Sequence, residues 1–169
     1  MAKKLSFFLL SILLIVQIVS AASDKSKIEI TAKAIDASKN VVKAKENVLV
    51  YYEDTVIKAS AAQFNKSTKV LVLDGQIEML GYDGSKVHTN HIEIHTDTKE
   101  VTFDELFLTG KNDVWLFSTD AHKQDNNYTL GPSIISSCDA KDPLWKMVFS
   151  RSLYDSDKKY IKVHDAKVY

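Results

Sequence analysis

The sequence predicts an all-β protein in which copies of a strand–turn–strand unit are stacked side by side into one sheet. Three observations predict this class. The chain of 169 residues is similar to itself at a period of about thirty residues. Clusters of short polar residues return with the same period, and runs rich in Val, Ile, Thr, Tyr and Phe separate them. Helical periodicity is weak beyond residue 21, and we expect roughly five copies of the unit.

The repeat is clearest in segments that align without gaps. Three of them, at offsets of 30 and 90 residues, are 57–65, 87–95 and 147–155. Two more, at an offset of 29 residues, are 41–50 and 70–79, and a weaker copy begins at Leu116. The polar clusters predict turns, because Asn, Asp and Ser side chains bond the local backbone. They are 36–40, 65–69, 95–99, 123–127 and 155–159, and residues 131–143 are predicted to be the longest irregular stretch.

The alternation of apolar residues within a unit predicts how the sheet bends. Ile57 and Ala59 alternate, as do Ala62 and Phe64, but the step from 59 to 62 breaks the period of two. A bulge or bend is therefore expected near Ser60. Repeated in every unit, it would fold the sheet into a V-shaped β-jellyroll with an apolar groove between two inner walls. A closed β-sandwich would explain the alternation equally well, and the pattern does not separate a filled core from an open groove.

The inward-facing positions follow from the same alternation across the copies. Ten side chains are predicted to face the groove: Ile57, Ala59, Ala62, Phe64, Val87, Thr89, Ile92, Ile94, Met147 and Phe149. A slip of one residue in the register would turn all of them to the other face.

The first residues predict export. Lys3 and Lys4 precede an apolar run from Leu5 to Val19, and small residues end it at 19–21, which is the three-part pattern of a secretory signal peptide. An uncleaved anchor is the alternative, but the run is shorter than the roughly twenty apolar residues that span a bilayer. We expect a signal peptide over 1–21, a short segment over 22–27 and one β domain over 28–169.

The charge balance and the cysteine content narrow the range of possible binding partners. The chain has 22 basic and 22 acidic residues, so removal of Lys3 and Lys4 leaves 20 against 22. Nucleic-acid binding calls for a basic face, and this balance argues against it. Cys138 is the single cysteine. It is either a buried thiol or half of an intermolecular disulfide. The buried thiol is the commoner state in proteins in general, but export to an oxidising compartment raises the expectation of a disulfide.

Three histidines invite comparison with a metal site. His88 and His91 are expected on opposite faces of a strand, while His91 and His95 would lie about 13 Å apart on one face. We therefore expect surface histidines rather than zinc ligands. The sequence has no Ser-His-Asp ordering, glycine-rich phosphate loop or metal-spaced cysteine pair, so we predict no metal, no cofactor and no enzyme activity.

An exported carbohydrate-binding or adhesion β-sandwich is the alternative function. Aromatic side chains that could stack on sugars are Trp115, Trp145, Tyr51, Tyr52 and Tyr82. In β domains such residues normally pack across strands instead.

The repeat motifs resemble a known family. They are Ile57-x-Ala59-Ser60-x-Ala62-x-Phe64-Asn65, then Thr68-Lys69 and Gly75-Gln76-Ile77, with Glu46-Asn47-Val48 as a related element in which Glu46 replaces glycine. This pattern resembles the OstA-like domain that the lipopolysaccharide-transport proteins LptA, LptC and LptD share. The resemblance extends over about residues 28–169. Motifs that resemble the end of the N-terminal periplasmic domain of LptD in particular are Ser136-Ser137-Cys138, Asp142-Pro143-x-Trp145, Phe149 and Tyr154-Asp155.

The resemblance implies a function that favours the groove over the closed sandwich. Such a protein holds the acyl chains of lipopolysaccharide in the periplasm, in association with the outer membrane. The open strand edges of its sheet would pair with other Lpt proteins, namely an LptA-like bridge, an LptD barrel or an LptE-like lipoprotein. A disulfide of Cys138 would then join this chain to another part of that machinery.

Overall fold

The computed structural model describes residues 28–81, 84–110, 113–155 and 157–169, so the predicted signal peptide over 1–21 and the segment 22–27 lie outside the described residues. The described residues form one antiparallel sheet of sixteen strands, and the all-β prediction is confirmed. The first eight strands are β1 (Ile28–Thr31), β2 (Ala34–Ala37), β3 (Val41–Tyr52), β4 (Thr55–Asn65), β5 (Val70–Leu80), β6 (Lys86–His95), β7 (Glu100–Phe103) and β8 (Leu106–Thr109). The others are β9 (Trp115–Ser118), β10 (Ala121–Gln124), β11 (Asn127–Leu130), β12 (Ser133–Ser136), β13 (Met147–Phe149), β14 (Arg151–Asp155), β15 (Tyr160–His164) and β16 (Lys167–Val168).

A bend divides the sheet into two halves, which we call wall A and wall B. The chain passes across the bend ten times in alternating directions, and each pass is one layer of the sheet. Strands β3 to β6 cross in one piece, and the other six layers are pairs of short strands. In wall A the order is β2, β3, β4, β5, β6, β7, β10, β11, β14, β15. In wall B the order is β1, β3, β4, β5, β6, β8, β9, β12, β13, β16. Ten layers correspond to the five predicted units of two strands each.

The bend predicted near Ser60 is present as a corner that runs through the layers. The pairing register shifts between Lys58 and Ala61 in the β4–β5 ladder, and matching shifts occur in the β3–β4 and β5–β6 ladders. An extra residue of this kind kinks a strand and increases its twist. The short-strand layers break at the same level, as between β9 and β10 or between β13 and β14. The two walls therefore meet along one line.

Glycine is required at one point of this corner. Gly75 has a φ of 94°, and a Cβ built on it would lie 2.5 Å from both Cβ and Oγ of Ser60 on the neighbouring strand. The corner of β3 contains Glu46 and Asn47 in left-handed conformations, with φ of 62° and 54°. The repeat alignment pairs Glu46 with Gly75, so the backbone conformation is kept in both copies.

The predicted turns all lie at the end of wall A that is far from the corner. Asn65 opens one of them and accepts hydrogen bonds at Oδ1 from the backbone N–H groups of Ser67 (2.9 Å) and Thr68 (3.2 Å). Asp155 opens the equivalent turn ninety residues later and accepts from the N–H groups of Asp157 (3.1 Å) and Lys158 (2.9 Å). The clusters predicted as turns connect the hairpins of this wall. The irregular stretch predicted over 131–143 is wrong in its bounds, because β12 pairs with β9 and β13 within it and the irregular residues are 137–146.

We predict that Gly75→Ala lowers the free energy of unfolding by about 2–4 kcal/mol, because it combines backbone strain with a clash against Ser60. Gly84 is the matched control, since its φ is 84° but an added Cβ would meet nothing within 4 Å. Gly84→Ala should cost only about 1 kcal/mol, the strain alone. Urea unfolding measures both values, and equal losses at the two glycines would contradict the close approach at the corner.

The turn at Asp155 makes the stability of the fold depend on pH. The backbone N–H and the Nζ of Lys158, which is 3.0 Å from Oδ2, hold the pKa of the Asp155 carboxyl below its ordinary value. A carboxyl whose pKa is lower in the folded than in the unfolded state stabilises the fold above the unfolded pKa of about 4. That contribution is lost as the pH falls through the folded-state pKa.

We predict that Asp155→Asn makes the melting temperature less sensitive to acid. The amide keeps the turn acceptor, as Asn65 does in its own turn, but it removes the charge. Circular dichroism melts from about pH 2 to about pH 6 should show a flatter decline below about pH 4 than in the wild type. Asp36→Asn on the exposed strand β2 should keep the wild-type slope, and the same slope in Asp155→Asn would refute the assignment.

Candidate functional site: the interior between the walls

The structure places all ten residues that were predicted to face a groove on the inner side of the two walls. Seven of them are buried, namely Ile57, Ala59, Ala62, Thr89, Ile92, Ile94 and Phe149. The other three are partly buried and pack against the same apolar cluster, namely Phe64, Val87 and Met147.

The interior has a closed floor and a more open mouth. Near the corner and in the middle of the long strands the side chains of the two walls pack fully, as at Ile57, Leu73 and Ile92, which expose no surface. In the row of wall B that continues from Ile57, five side chains are only partly buried, and these five form the mouth row. This row comprises Met79, Val87, Leu108, Ile135 and Met147, which lie side by side on neighbouring strands except where Leu116 stands between Leu108 and Ile135. The apolar surface that a ligand could reach first is therefore this mouth row.

The matching row of wall A changes character along the sheet. Through β3 to β7 it is apolar and comprises Val42, Phe64, Leu71, Ile94 and Val101. On the next three strands it becomes Lys123, Tyr128 and Tyr154. All three were missed as site residues, although the repeat alignment contained a signal for Tyr154 and Lys123. Residues 64, 94 and 154 are spaced by 30 and 60, and the weaker copy places Lys123 in the same column.

The residues that the structure describes do not cover the interior at the two edges of the sheet. At the first edge Ile35 of β2 lies beside the buried Ala44 and is 51% exposed. At the last edge Ile161 of β15 and Val168 of β16 lie beside Tyr154 and Met147, and they are 42% and 68% exposed. Among the described strands, the terminal ones are thus unpaired on one side, and their inward-facing side chains leave apolar surface exposed.

A cleft of about 510 Å³ lies on the opposite, outer face of wall B. Its side chains include Lys58, Glu78, His88, Phe107 and Phe117, which share one row of the ladder across five strands. Lys58 and Glu78 form an exposed ion pair at 3.4 Å. The lining of the cleft also includes Ile77 and Thr89, which are buried beside the corner.

The histidines lie on the outer surface, but one detail of their predicted arrangement is wrong. His88 pairs with Glu78 on wall B, and His91 pairs with Asp74 on wall A, so both point outward. The corner at Asn90 adds a residue between them and cancels the alternation that predicted opposite faces. His91 Nδ1 lies 2.7 Å from Asp74 Oδ1. Within the described residues, no group of three His, Cys, Asp or Glu side chains could hold a metal ion.

The aromatic residues proposed for sugar binding are dispersed. Trp115 is buried and its indole N–H donates to the carbonyl of Cys138 at 2.6 Å, which fixes the segment 137–146 over wall B. Tyr52 is buried in the interior, whereas Tyr51 is exposed on the outer face of β3. Trp145 is exposed in the irregular segment, and Tyr82 lies outside the described residues. These aromatics do not form one platform.

The sheet and its interior define a class of protein: a stacked antiparallel sheet, bent into two walls, whose apolar interior reaches both edges. Across the part of the chain that the structure describes, no helix is long and apolar enough to span a membrane. No family model and no curated protein sequence matches this chain.

One solved structure that is similar is the crystal structure of LptH, the LptA-homologous periplasmic component of the conserved lipopolysaccharide transport device from Pseudomonas aeruginosa. It is 12% identical in sequence, and the similarity covers 83% of this chain and 84% of the LptH chain with a TM-score of 0.31.

Proposed function

We propose that this chain is a periplasmic component of lipopolysaccharide transport that holds lipid acyl chains between its two walls. The observation that carries the proposal is the interior itself. It is apolar, it runs through all ten layers, and its terminal layers expose Ile35, Ile161 and Val168 instead of closing. The motif resemblance to the OstA-like domain points to the same ligand. A predicted signal peptide over 1–21 would deliver the chain to the periplasm.

The chemistry of such an interior suits a carrier. Each methylene group that leaves water for an apolar site contributes about 0.8 kcal/mol, and the attraction has no preferred direction. A ligand with several acyl chains can therefore be held without specific polar contacts and can still slide along the walls. Because the floor is packed, the chains would first contact the mouth row of wall B and then separate the walls, with the corner as the hinge.

We further propose that the open edges join this chain to other domains of the same architecture. In the described part of the chain, strands β1 and β2 form one edge and strands β15 and β16 form the other, so each edge offers unpaired backbone groups. An added strand from a neighbour would pair with them and would cover the exposed apolar side chains of the terminal layers. The apolar interior would then continue from one domain into the next. The resemblance to the OstA-like domain suggests three partners for edge pairing, namely an LptA-like bridge, the LptD barrel or an LptE-like lipoprotein.

We also propose that this chain is related most closely to the N-terminal domain of LptD, and that Cys138 forms an intermolecular disulfide. Cys138 is partly exposed, and its carbonyl and N–H groups are held by Trp115 and Ser136. This fixed position would present the thiol to a partner in the oxidising periplasm. Electrophoresis of cell extracts without reductant should then show a larger adduct that reductant and Cys138→Ser both remove.

We predict that a photoreactive phenylalanine analogue at position 64 forms lipopolysaccharide adducts in cells, whereas the same analogue at position 63 does not. Phe64 points into the interior and is partly buried, while its neighbour Gln63 is exposed on the outer face. Immunoblotting for lipopolysaccharide detects the adducts. Adducts at position 63 alone would move the lipid to the outer face, and adducts at neither position would refute the carrier function.

We also predict that the analogue at Tyr160 forms protein adducts in cells and that the analogue at Tyr51 does not. The two tyrosines are almost equally exposed, at 46% and 44%, but Tyr160 lies on the edge strand β15 and Tyr51 lies on β3, which is paired on both sides. Mass spectrometry identifies the adducts. Equal labelling at the two positions would argue against edge pairing.

A further inference from the structure

The mouth of the interior carries a polar cluster on its second half. Lys123, Tyr128 and Tyr154 occupy the mouth row of wall A on the neighbouring strands β10, β11 and β14. The Nζ of Lys123 lies 5.7 Å from the ring centroid of Tyr128, and the rings of Tyr128 and Tyr154 lie 5.8 Å apart. The register fixes their direction, because Lys123 is opposite the buried Val101 and therefore shares its inward face.

The hydroxyl of Ser152 lies beneath this cluster. Ser152 is two residues before Tyr154 on β14, so the two side chains share the inner face. It is 3% exposed, and its Oγ has no hydrogen-bond partner among the described residues. A buried hydroxyl without a partner costs free energy, and a ligand that could bond to it would recover that cost. The other buried serines here, Ser118 and Ser133, donate to carbonyl groups of the corner.

The charge at the cluster is positive and uncompensated. Lys123 is half-buried, and in the described part of the chain no carboxylate lies within 4 Å of its ammonium group. By contrast, Lys58, Lys99 and Lys158 all pair with carboxylates on the surface. In the first half of the mouth row the corresponding positions are Phe64, Leu71 and Ile94, which cannot bind an ion.

From these positions we infer that the interior is divided along its length and that Lys123, Tyr128 and Tyr154 bind the anionic group of an amphiphile. The anion is a phosphate or a carboxylate, held by the ammonium and by phenol hydroxyls, and the acyl chains lie toward the apolar half formed by β3 to β7. The inference rests on the proposed function, because it assumes that acyl chains enter between the walls. It adds an orientation, with the charged end at β10, β11 and β14.

The test compares two ligands that share one chain. Calorimetric titration of the full protein with decyl phosphate and with decan-1-ol measures how much the phosphate adds. The wild type should bind decyl phosphate about tenfold more tightly than the alcohol, the size of one charge-assisted hydrogen bond. Lys123→Gln should abolish that preference without changing the affinity for decan-1-ol, and Lys123→Arg should keep it. Lys43→Gln is the matched control, because it removes an exposed lysine from the outer face of wall A.

The outcomes separate this inference from the proposed function. A preference for phosphate that persists in Lys123→Gln, or equal binding of both ligands by the wild type, would overturn the inference and leave the apolar carrier intact. Binding of inorganic phosphate as tight as that of decyl phosphate would assign the cluster to a free anion instead. Failure of both chain-bearing ligands to bind would refute the proposed function and the inference with it.

Discussion

The fold depends on a shift in the pairing register at the same level of the four long strands. A strand alternates its side chains between two faces, so a straight β4 would place Ala62 and Phe64 on the opposite face from Ile57 and Ala59. The shift at the corner lets Ala59 and Ala62 both point inward although three positions separate them. The sheet can then bend sharply and cover its own apolar face. Gly75 allows the strands to approach each other at the bend, and Ser118 and Ser133 satisfy carbonyl groups where short strands meet.

The packing of the two walls that this bend produces also determines how a ligand could bind. Packing of the floor stabilises the fold, and each large side chain buried there contributes about 1.5–3 kcal/mol. A lipid that entered the floor would have to replace those contacts with its own. The partly buried mouth row of wall B lowers that barrier, because Met79, Val87 and Met147 already expose some of their surface. Two of these are methionines, whose flexible side chains adapt to irregular apolar shapes. The open edges lower the barrier further, since each terminal layer packs against a neighbouring layer on one side only.

Much of this architecture could be predicted from the sequence, because the repeat and the alternation both report on burial. The alignment of 57–65 with 87–95 placed the inward positions and the bend, since each copy meets the same environment in the stack. Local rules were less reliable where the corner interrupts a strand, and His88 and His91 were therefore assigned to opposite faces. The cluster at Lys123 was missed because the inward positions were predicted from apolar residues alone, and Lys123 is a polar residue at an inward position. The closure of the floor depends on contacts between walls, which no local pattern encodes.

Parting of the two walls is the central physical claim of the lipid-carrier account, and a distance between them tests it most directly. Spin labels on Gln63→Cys and Lys86→Cys, in a Cys138→Ser background, would mark exposed outer positions of wall A and wall B. Pulsed electron paramagnetic resonance then gives the distance with and without saturating lipopolysaccharide. The account predicts a longer distance when the lipid is bound, because acyl chains separate the packed floor. An unchanged distance under demonstrated binding would contradict it and place the lipid outside the walls.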